Sequence, residues 1–219
     1  MCYQLINFGN NTLQLHNNRT ILWREENILI ASDLHLEKGS SYKLSGQFIP
    51  PYDTKDTLER LKKIIDKVKP NLLILLGDIF HDKYSLKRMN DTDKKLFNDI
   101  ISKIKTIFVE GNHDANTLDL NRSTHKFYEK NNLFFKHIFS NEKKLEISGH
   151  YHPSVSIKHK GIKLRCPCFI VSKNKIILPS FGKYTGGLDL KEEAFSNFKY
   201  EETFIFVITK KNITKLKWN

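Results

Sequence analysis

Apolar segments that each end in a polar cluster are the feature that most constrains how this chain folds. The segments NILIAS (27–32), NLLILL (71–76) and TIFVE (106–110) are rich in apolar residues, as strands buried on both faces of a sheet are. Between them, apolar side chains at helical spacing predict amphipathic helices at 54–68 and 90–104. This alternation of strand and helix predicts an α/β protein.

The flanking segments predict more strands. Residues 12–23 predict a hairpin, 125–131 a short helix, and 133–137 and 143–148 two further strands. The C-terminal runs IKLRCPCFIV, KIILP and TFIFVIT predict mostly antiparallel strands. Because no repeat, low-complexity linker or block of charge marks a boundary, we expect residues 1–219 to form a single domain.

The charge balance favours a polyanionic partner. The 219 residues include 36 lysines and arginines against 24 acidic residues, which gives a net charge of +12. Such a surface suits nucleic acid. Only 6 of these basic residues are arginines, although arginine is the better phosphate ligand. A lysine-rich composition can also reflect the source of a protein, so charge alone does not decide the partner.

The sequence predicts a cytoplasmic protein with no membrane partner. No apolar run approaches the roughly 20 residues that span a bilayer, and MCYQLINFGNN lacks the features of a secretion signal. The three cysteines are Cys2, Cys166 and Cys168, and this odd number argues against a disulfide framework. Cys166 and Cys168 fit two buried side chains of one strand better than a redox pair or a metal clip.

Polar side chains follow five of the predicted strands. Because the carboxyl ends of neighbouring strands in an open α/β sheet meet at one crevice, we expect these side chains to share one site. They are Asp33, His35, Asp78, Asn112, His137, His150 and His152.

These residue types predict a pair of metal ions. Carboxylate, amide and imidazole ligands without cysteine suit Mn²⁺, Fe or Zn²⁺. Seven ligands are too many for one tetrahedral ion, but they fit two ions if one carboxylate bridges them. Asp78 is the expected bridge because Gly77 precedes it and lets the backbone approach the ions. Two such ions clamp a phosphate between them.

Two ligand pairs are spaced by a single residue. If Asp33 and His35 lie on an extended segment, their side chains face the same side, and His150 and His152 do likewise. We therefore expect each pair to contribute two ligands from one short extended segment.

His113 and Asp114 follow the ligand Asn112 and have a separate predicted role. His113 beside the ions is placed to protonate the departing oxygen or to stabilise developing charge. Asp114 is predicted to hold the imidazole in the useful tautomer.

The order of these motifs resembles a known family. DLH (33–35), GD (77–78), GNHD (111–114), the single His137 and GHYH (149–152) resemble the signature of the calcineurin-like metallophosphoesterases. The stretches DLHLEKGSSYKLSGQFIPPYDTKDTLERL, RCPCFIV and LPSFGKYTGGL are similar to the bacterial ligase-associated DNA damage response endonucleases. The resemblance covers roughly residues 27–190.

The resemblance implies a fold, a metal centre and a reaction. The fold is a calcineurin-like four-layer α/β/β/α sandwich of two mixed β-sheets flanked by helices. The cofactors are two divalent ions, with Mn expected first and Fe or Zn as alternatives, and the reaction is phosphoester hydrolysis by metal-activated water. The first ion is bound by Asp33, His35 and His152, the second by Asn112, His137 and His150, with Asp78 as the bridge, His113 as the catalyst and Asp114 behind it.

The subgroup resemblance implies cleavage of DNA phosphodiesters in DNA repair, with DNA ligase and helicase proteins as partners. Glu37 departs from the family pattern, since glycine is expected at this position. The resemblance therefore gives less support to a family role for Lys38, which follows it.

Two alternatives stay open. One is a phosphatase or phosphodiesterase that acts on a small nucleotide or a phosphoprotein with the same metals, because fold and metals do not choose the substrate. The other is a binding module that assembles with repair proteins, although such a module has no need for His113. The oligomeric state and the position and polarity of cleavage do not follow from the sequence.

Overall fold

Two β-sheets packed face to face form the framework of the protein. The structure is a computed structural model that describes residues 2–44, 46–47, 50, 52–114, 124–159, 161–200 and 202–218. The strands in chain order are β1 (Tyr3–Phe8), β2 (Asn11–His16), β3 (Ile21–Trp23), β4 (Ile28–Ala31), β5 (Leu72–Leu76), β6 (Lys105–Val109), β7 (Thr124–His125), β8 (Tyr128–Lys130), β9 (Leu133–Phe135), β10 (Leu145–Ser148), β11 (Ser154–His159), β12 (Ile162–Val171), β13 (Lys175–Ile177), β14 (Thr203–Ile208) and β15 (Ile213–Trp218). The helices are α1 (Lys38–Leu44), α2 (Asp53–Val68), α3 (Ser85–Arg88) and α4 (Asp91–Lys103), with a 3-10 helix at Glu193–Tyr200.

The first sheet has the strand order β1 to β7. Strands β1 to β4 form an antiparallel meander, and β4 to β7 run parallel. Helices α2 and α4 connect the parallel strands, as the sequence predicts, and bury Leu58, Leu61, Phe97 and Ile100 on the outer face of the sheet. Asn90 caps α4 by accepting a hydrogen bond from the backbone amide of Asp93 at 2.9 Å.

The second sheet has the order β15-β14-β12-β13-β10-β9-β8, with β11 paired to β12. Strand β10 runs parallel to β9 and β13, and the remaining pairs are antiparallel. Both sheets are therefore mixed, which confirms the predicted fold class.

The main core lies between the two sheets. Trp23 of the first sheet contacts Phe135 of the second, with ring centroids 6.2 Å apart, and both side chains are inaccessible to solvent. Burial of an aromatic or aliphatic side chain of this kind stabilises the fold by about 1.5–3 kcal/mol. All five residues of β5 are buried because its two faces pack on different layers, which is why its sequence is continuously apolar.

The outer face of the second sheet is covered by a thin layer. Phe195 and Phe198 of the 3-10 helix pack there on Cys168, Ile170 and Ile205. The fourth layer is thus a 3-10 helix. Cys166 and Cys168 are buried and unpaired, in agreement with the structural interpretation of this pair.

The predicted helix at 125–131 is wrong. Thr124 and His125 pair with β6, and Tyr128–Lys130 forms a hairpin with β9. The hairpin turn is Asn131-Asn132, and both residues have positive φ (48° and 62°), a conformation that asparagine tolerates and that two-residue hairpin loops require. Pairing with a neighbouring strand therefore overrides the local helical preference.

A search of the described helices for one long and apolar enough to cross a bilayer found none.

Candidate metal centre

The seven predicted ligands meet at one end of the sandwich. Asp33, Asp78 and Asn112 follow parallel strands β4, β5 and β6 of the first sheet, while His137 and His150 follow β9 and β10 of the second. His35 and His152 lie two residues further along two of these segments. The site therefore sits where the carboxyl ends of strands from both sheets converge, as predicted.

A first group of ligand atoms consists of Asp33, His35 and His152, whose ligand atoms all lie within 4.8 Å of one another. Nε2 of His152 is 3.2 Å from Oδ1 of Asp33 and 3.3 Å from Nε2 of His35. Asp33 and His35 are buried, which keeps bulk water away from this position.

A second group consists of Asp78, His137 and His150, with the same mutual separation of at most 4.8 Å. Nε2 of His137 is 3.4 Å from Oδ2 of Asp78 and 3.1 Å from Nδ1 of His150. Oδ1 of Asn112 lies 3.0 Å from the same His137 nitrogen and so joins this group.

Asp78 lies between the two groups. Its Oδ2 is 3.8 Å from Nε2 of His35 in the first group and 3.4 Å from Nε2 of His137 in the second. A single carboxylate oxygen with imidazole nitrogens on both sides has the placement that a bridging ligand needs.

The arrangement of lone pairs fits cations at both positions. His137 donates Nδ1–H to the Leu76 carbonyl at 2.8 Å, so its Nε2 carries a lone pair when the ring is neutral. That lone pair faces the acceptor oxygens of Asp78 and Asn112. Acceptors that face one another repel unless a cation or a proton lies between them.

His152 repeats this arrangement in the first group. It donates Nδ1–H to the Gly186 carbonyl at 3.0 Å, which turns the Nε2 lone pair toward Oδ1 of Asp33. Backbone carbonyls that fix the tautomer of a histidine in this way are typical of metal-binding imidazoles. The residues present therefore fit two divalent ions.

The pKa values of the site residues also show that the two carboxylates favour positive charge nearby. Burial disfavours a charged His137, yet its hydrogen bond to Asp78 and the charges of Asp33 and Asp78 raise its pKa to about 9. Burial opposes ionisation of Asp33, but His152 and His137 hold the pKa of its carboxyl below the ordinary value. Burial lowers the pKa of His35 to about 3, so this ring is neutral and can bind a metal at neutral pH.

Two motif glycines are required by close packing around the ligands. A Cβ on Gly77, which has a φ of 72°, would lie 2.4 Å from Nδ1 of His137. A Cβ on Gly149 would lie 1.7 Å from Oγ of Ser32 and 2.4 Å from Oδ2 of Asp33. No side chain fits at either position, which explains why glycine precedes Asp78 and His150.

The expected extended conformation of the paired ligands is wrong. Asp33 and His35 have φ values of 55° and 44°, and His150 and His152 have 69° and 46°, all in the left-handed region. The side chains of each pair nevertheless reach the same cleft. Left-handed backbone at alternate residues, and not the pleat of a strand, brings them there.

His113 and Asp114 occupy different environments. The His113 side chain is 41% exposed, its ring nitrogen Nε2 is 3.9 Å from Oδ2 of Asp78, and its backbone amide donates to Asp78 at 2.9 Å. Asp114 is buried and accepts hydrogen bonds from the backbone amides of Ile79, Phe80 and Gly111. Burial, with the nearby charge of Asp78, raises the pKa of Asp114 to about 6.

Some residues of the site were not found from the sequence. Ser32 donates to Oδ2 of Asp33 at 2.5 Å, and Ser180 donates to the Asp33 backbone carbonyl at 2.8 Å. Ser32 adjoins a motif residue and was within reach of motif reasoning, whereas Ser180 lies 147 residues from Asp33 and had no such signal. His81, which follows the GD motif and was already a candidate lining residue from the sequence, stacks on His113 with ring centroids 5.8 Å apart.

The fold and this cleft define a metal-dependent phosphoesterase. The sequence pattern of the calcineurin-like phosphoesterases matches residues 26–206. The chain belongs to the calcineurin-like phosphoesterase family, and it is a hydrolase that acts on phosphoester bonds.

Solved structures with a similar fold include the nuclease MPE of Pseudomonas putida, which is 24% identical with a TM-score of 0.77. The alignment covers 98% of this chain and 100% of that one. The phosphoesterase Yfce of E. coli is 15% identical over 88% of this chain and 99% of its own, with a TM-score of 0.44. No curated protein matches the chain.

Proposed function

We propose that this chain is a two-metal phosphodiesterase that cleaves DNA. The observation that carries the proposal is the position of Asp78, whose carboxylate stands between two groups of ligands in one cleft. Mn²⁺ is the proposed metal, because the donor set consists of carboxylate, amide and imidazole groups without a thiolate.

The ligand assignment follows the two groups. Asp33, His35 and His152 hold the first ion, and Asn112, His137 and His150 hold the second, with Asp78 shared. Two divalent ions in such a site polarise the phosphoryl oxygens and lower the pKa of water. The backbone carbonyls of Leu76 and Gly186 keep His137 and His152 in the tautomer that presents Nε2 to the ions.

His113 is the proposed proton donor to the departing oxygen. Its ring is accessible from solvent and lies at the edge of the cleft, within 3.9 Å of the shared carboxylate. Its backbone bond to Asp78 fixes the start of the side chain relative to both metal positions. A positioned imidazole of this kind typically accelerates a reaction by about 10²–10⁴-fold.

Asp114 is the proposed positioning residue for the His113 segment. Its carboxylate receives the amides of Ile79, Phe80 and Gly111, so it ties the turn after β5 to the turn after β6. These are the turns that carry Asp78 and Asn112. Orientation of the His113 imidazole by Asp114 remains a prediction from the sequence.

DNA is the proposed substrate for two reasons. The net charge of +12 favours a polyanion, and the fold neighbour from Pseudomonas putida is a nuclease. A DNA repair role, with ligase and helicase proteins as partners, remains a prediction from the resemblance of the motifs, and a cytoplasmic location remains a prediction from the cysteine content.

Metal-replete protein assayed on a substrate panel tests the proposal. The panel contains bis-para-nitrophenyl phosphate, para-nitrophenyl phosphate, and single-stranded, nicked and duplex DNA. We expect chelation to abolish hydrolysis of the diester and of DNA, and Mn²⁺ to restore both. The affinity for DNA should fall steeply with added salt, because bound phosphates release counterions.

Equal activity before and after chelation would remove the metals from the mechanism. Fast turnover of the monoester that is indifferent to salt, with no cleavage of any DNA, would favour a small-molecule phosphatase in place of a nuclease.

A further inference from the structure

A small cavity adjoins the first ligand group. Its volume is about 220 Å³, and its lining includes Arg19, His152, Ser154, Arg165, Ser180 and Gly187. His152 is a ligand of the first ion in the proposed function, so the cavity and the metal cleft share a wall. Two guanidinium groups and no carboxylate line this cavity, which makes it a positively charged compartment beside the metals.

Arg19 is fixed relative to the ligand Asp33. It donates to the Ser180 carbonyl at 3.2 Å, and Ser180 in turn donates its hydroxyl proton to the Asp33 carbonyl at 2.8 Å. Burial lowers the pKa of Arg19, which records the cost of placing its charge there. Among the described residues, no carboxylate forms an ion pair with Arg19. By contrast, Arg88 is paired with Asp82.

Arg165 is fixed relative to the ligand His152. Its Nε donates to the Ser154 hydroxyl at 2.8 Å, and its terminal nitrogen donates to the Gly187 carbonyl. The adjacent carbonyl, that of Gly186, accepts the Nδ1 proton of His152 at 3.0 Å. The same loop therefore positions a metal ligand and a guanidinium group.

These contacts leave donors on both arginines. A guanidinium has five N–H groups, and the described protein acceptors take one from Arg19 and two from Arg165. Arg165 is exposed, whereas Arg19 is a partly buried cation to which the described residues supply no anionic partner, and such burial costs stability. Such a group has a purpose if an anion enters, and a phosphate accepts two parallel hydrogen bonds from each guanidinium.

We propose that Arg19 and Arg165 bind the phosphate next to the scissile one in a polynucleotide chain. The inference rests on the proposed function, because it places the scissile phosphate at the metals. The cavity is smaller than the about 300–1,000 Å³ of typical small-molecule sites. It accommodates a single phosphate group, while the attached sugars and bases extend into solvent. The neighbouring phosphate thereby selects a polymer over a small phosphoester.

A matched set of dinucleotides isolates the second phosphate. The substrates are dTpdT, which has one phosphate, and its forms phosphorylated at the 5′ end (pdTpdT) or the 3′ end (dTpdTp). We expect one of the two phosphorylated forms to have a KM about tenfold lower than dTpdT, the effect of one charge-assisted contact. R165Q and R19Q should lose this gain, and because the gain is a ratio of KM values measured within one variant, a general effect of the substitution on turnover cancels.

Control variants separate binding from folding. R24Q removes an exposed arginine outside the cavity and should keep the gain. R19K keeps the charge and should keep part of the gain, so it shows whether R19Q fails through loss of the anion contact. Thermal unfolding and metal content are measured for each variant. If R19Q is misfolded, the result for R165Q alone decides whether the phosphate site exists.

The same comparison is made as dissociation constants on H113A protein, in which turnover is slowed. If no diester is hydrolysed by the wild type, the proposed function fails, and the binding data still decide the phosphate site. Equal binding of dTpdT and both phosphorylated forms overturns the site. Retention of the gain in R165Q overturns it as well, even if the enzyme cleaves DNA.

Discussion

Substitution of Gly149 by alanine tests whether close packing around Asp33 builds the first metal position. The added Cβ would lie 1.7 Å from Oγ of Ser32 and 2.4 Å from Oδ2 of Asp33. Neither atom belongs to a flexible chain end, because both side chains are fully buried and Ser32 is bonded to both Asp33 and the Leu76 carbonyl. The substitution must therefore displace backbone or break these hydrogen bonds.

The magnitude follows from two effects. Overpacking of a buried site costs about 1–3 kcal/mol, and a buried polar group that loses its hydrogen bond costs a further 1–3 kcal/mol or so. We expect G149A to lower the free energy of unfolding by roughly 2–6 kcal/mol, a large part of the about 5–15 kcal/mol that stabilises a typical domain. We also expect Asp33 to move away from His152, with loss of the first ion.

Denaturant unfolding and elemental analysis of metal content measure the two effects. The stability control is G186A, because a Cβ on Gly186 meets no atom within 4 Å and its φ is not left-handed. G186A should change the free energy of unfolding by about 1 kcal/mol or less. If G149A matches G186A in stability and retains both ions, packing of Gly149 on Ser32 does not shape the metal site.

Three further substitutions address the catalyst, the second ion and the pH dependence of stability. H113A should lower kcat about 10²–10⁴-fold with unchanged metal content; parallel losses of both would reassign His113 as a ligand. H137A should reduce bound metal from about two ions to about one, because His137 joins Asp78 to the second group; unchanged stoichiometry by elemental analysis would remove it from the ligand set. Burial, with the charges of the N-terminus and Lys67, lowers the pKa of His16 to about 4. As the pH falls through about 6.5, the pKa of an unfolded histidine, His16 binds a proton in the unfolded state but not in the folded state. The folded protein therefore loses stability relative to the unfolded chain. Between about pH 8 and about pH 5, wild-type protein should lose about 2 kcal/mol more than H16Q in denaturant unfolding; an equal loss in both proteins would contradict this assignment.

The parallel strands and their helices were predictable because one physical cause dominates them. Strand β5 is buried on both faces, so every residue in Leu72–Leu76 is apolar. Helix α2 buries one face, so Leu58 and Leu61 recur at helical spacing. Where a strand lies at a sheet edge, this signal fails: in β1, Tyr3 and Leu5 are exposed and its pattern does not mark a core face.

The convergence of the seven candidate ligands on one cleft was also predictable, since polar residues at the ends of adjacent strands must meet. Arg19 of the proposed phosphate site was not. Arg19 reaches the cleft through Ser180, at a separation of 161 residues, and only the packing of the two sheets brings these segments together. Contacts at such separation leave no local pattern in a single sequence.

The backbone conformation of the proposed ligands gives a second reason for their residue types. Five of the seven proposed ligands have left-handed φ values, and these are Asp33, His35, Asp78, His150 and His152. Among residues other than glycine, asparagine, aspartate and histidine tolerate this region best. The motifs therefore use side chains that are able to bind a metal and that also tolerate the backbone conformation that directs them into the cleft.

Each left-handed ligand costs about 1–3 kcal/mol unless the surroundings enforce it. Part of this cost is offset by the bonds from Ser32 and His150 to Asp33 and from His113 to Asp78. Metal ions that bind only the folded state would stabilise it further, by an amount that grows with their concentration relative to the dissociation constant. Because the proposed ligands have left-handed backbone and lone pairs that face one another, we expect the cleft to fold most favourably with cations bound.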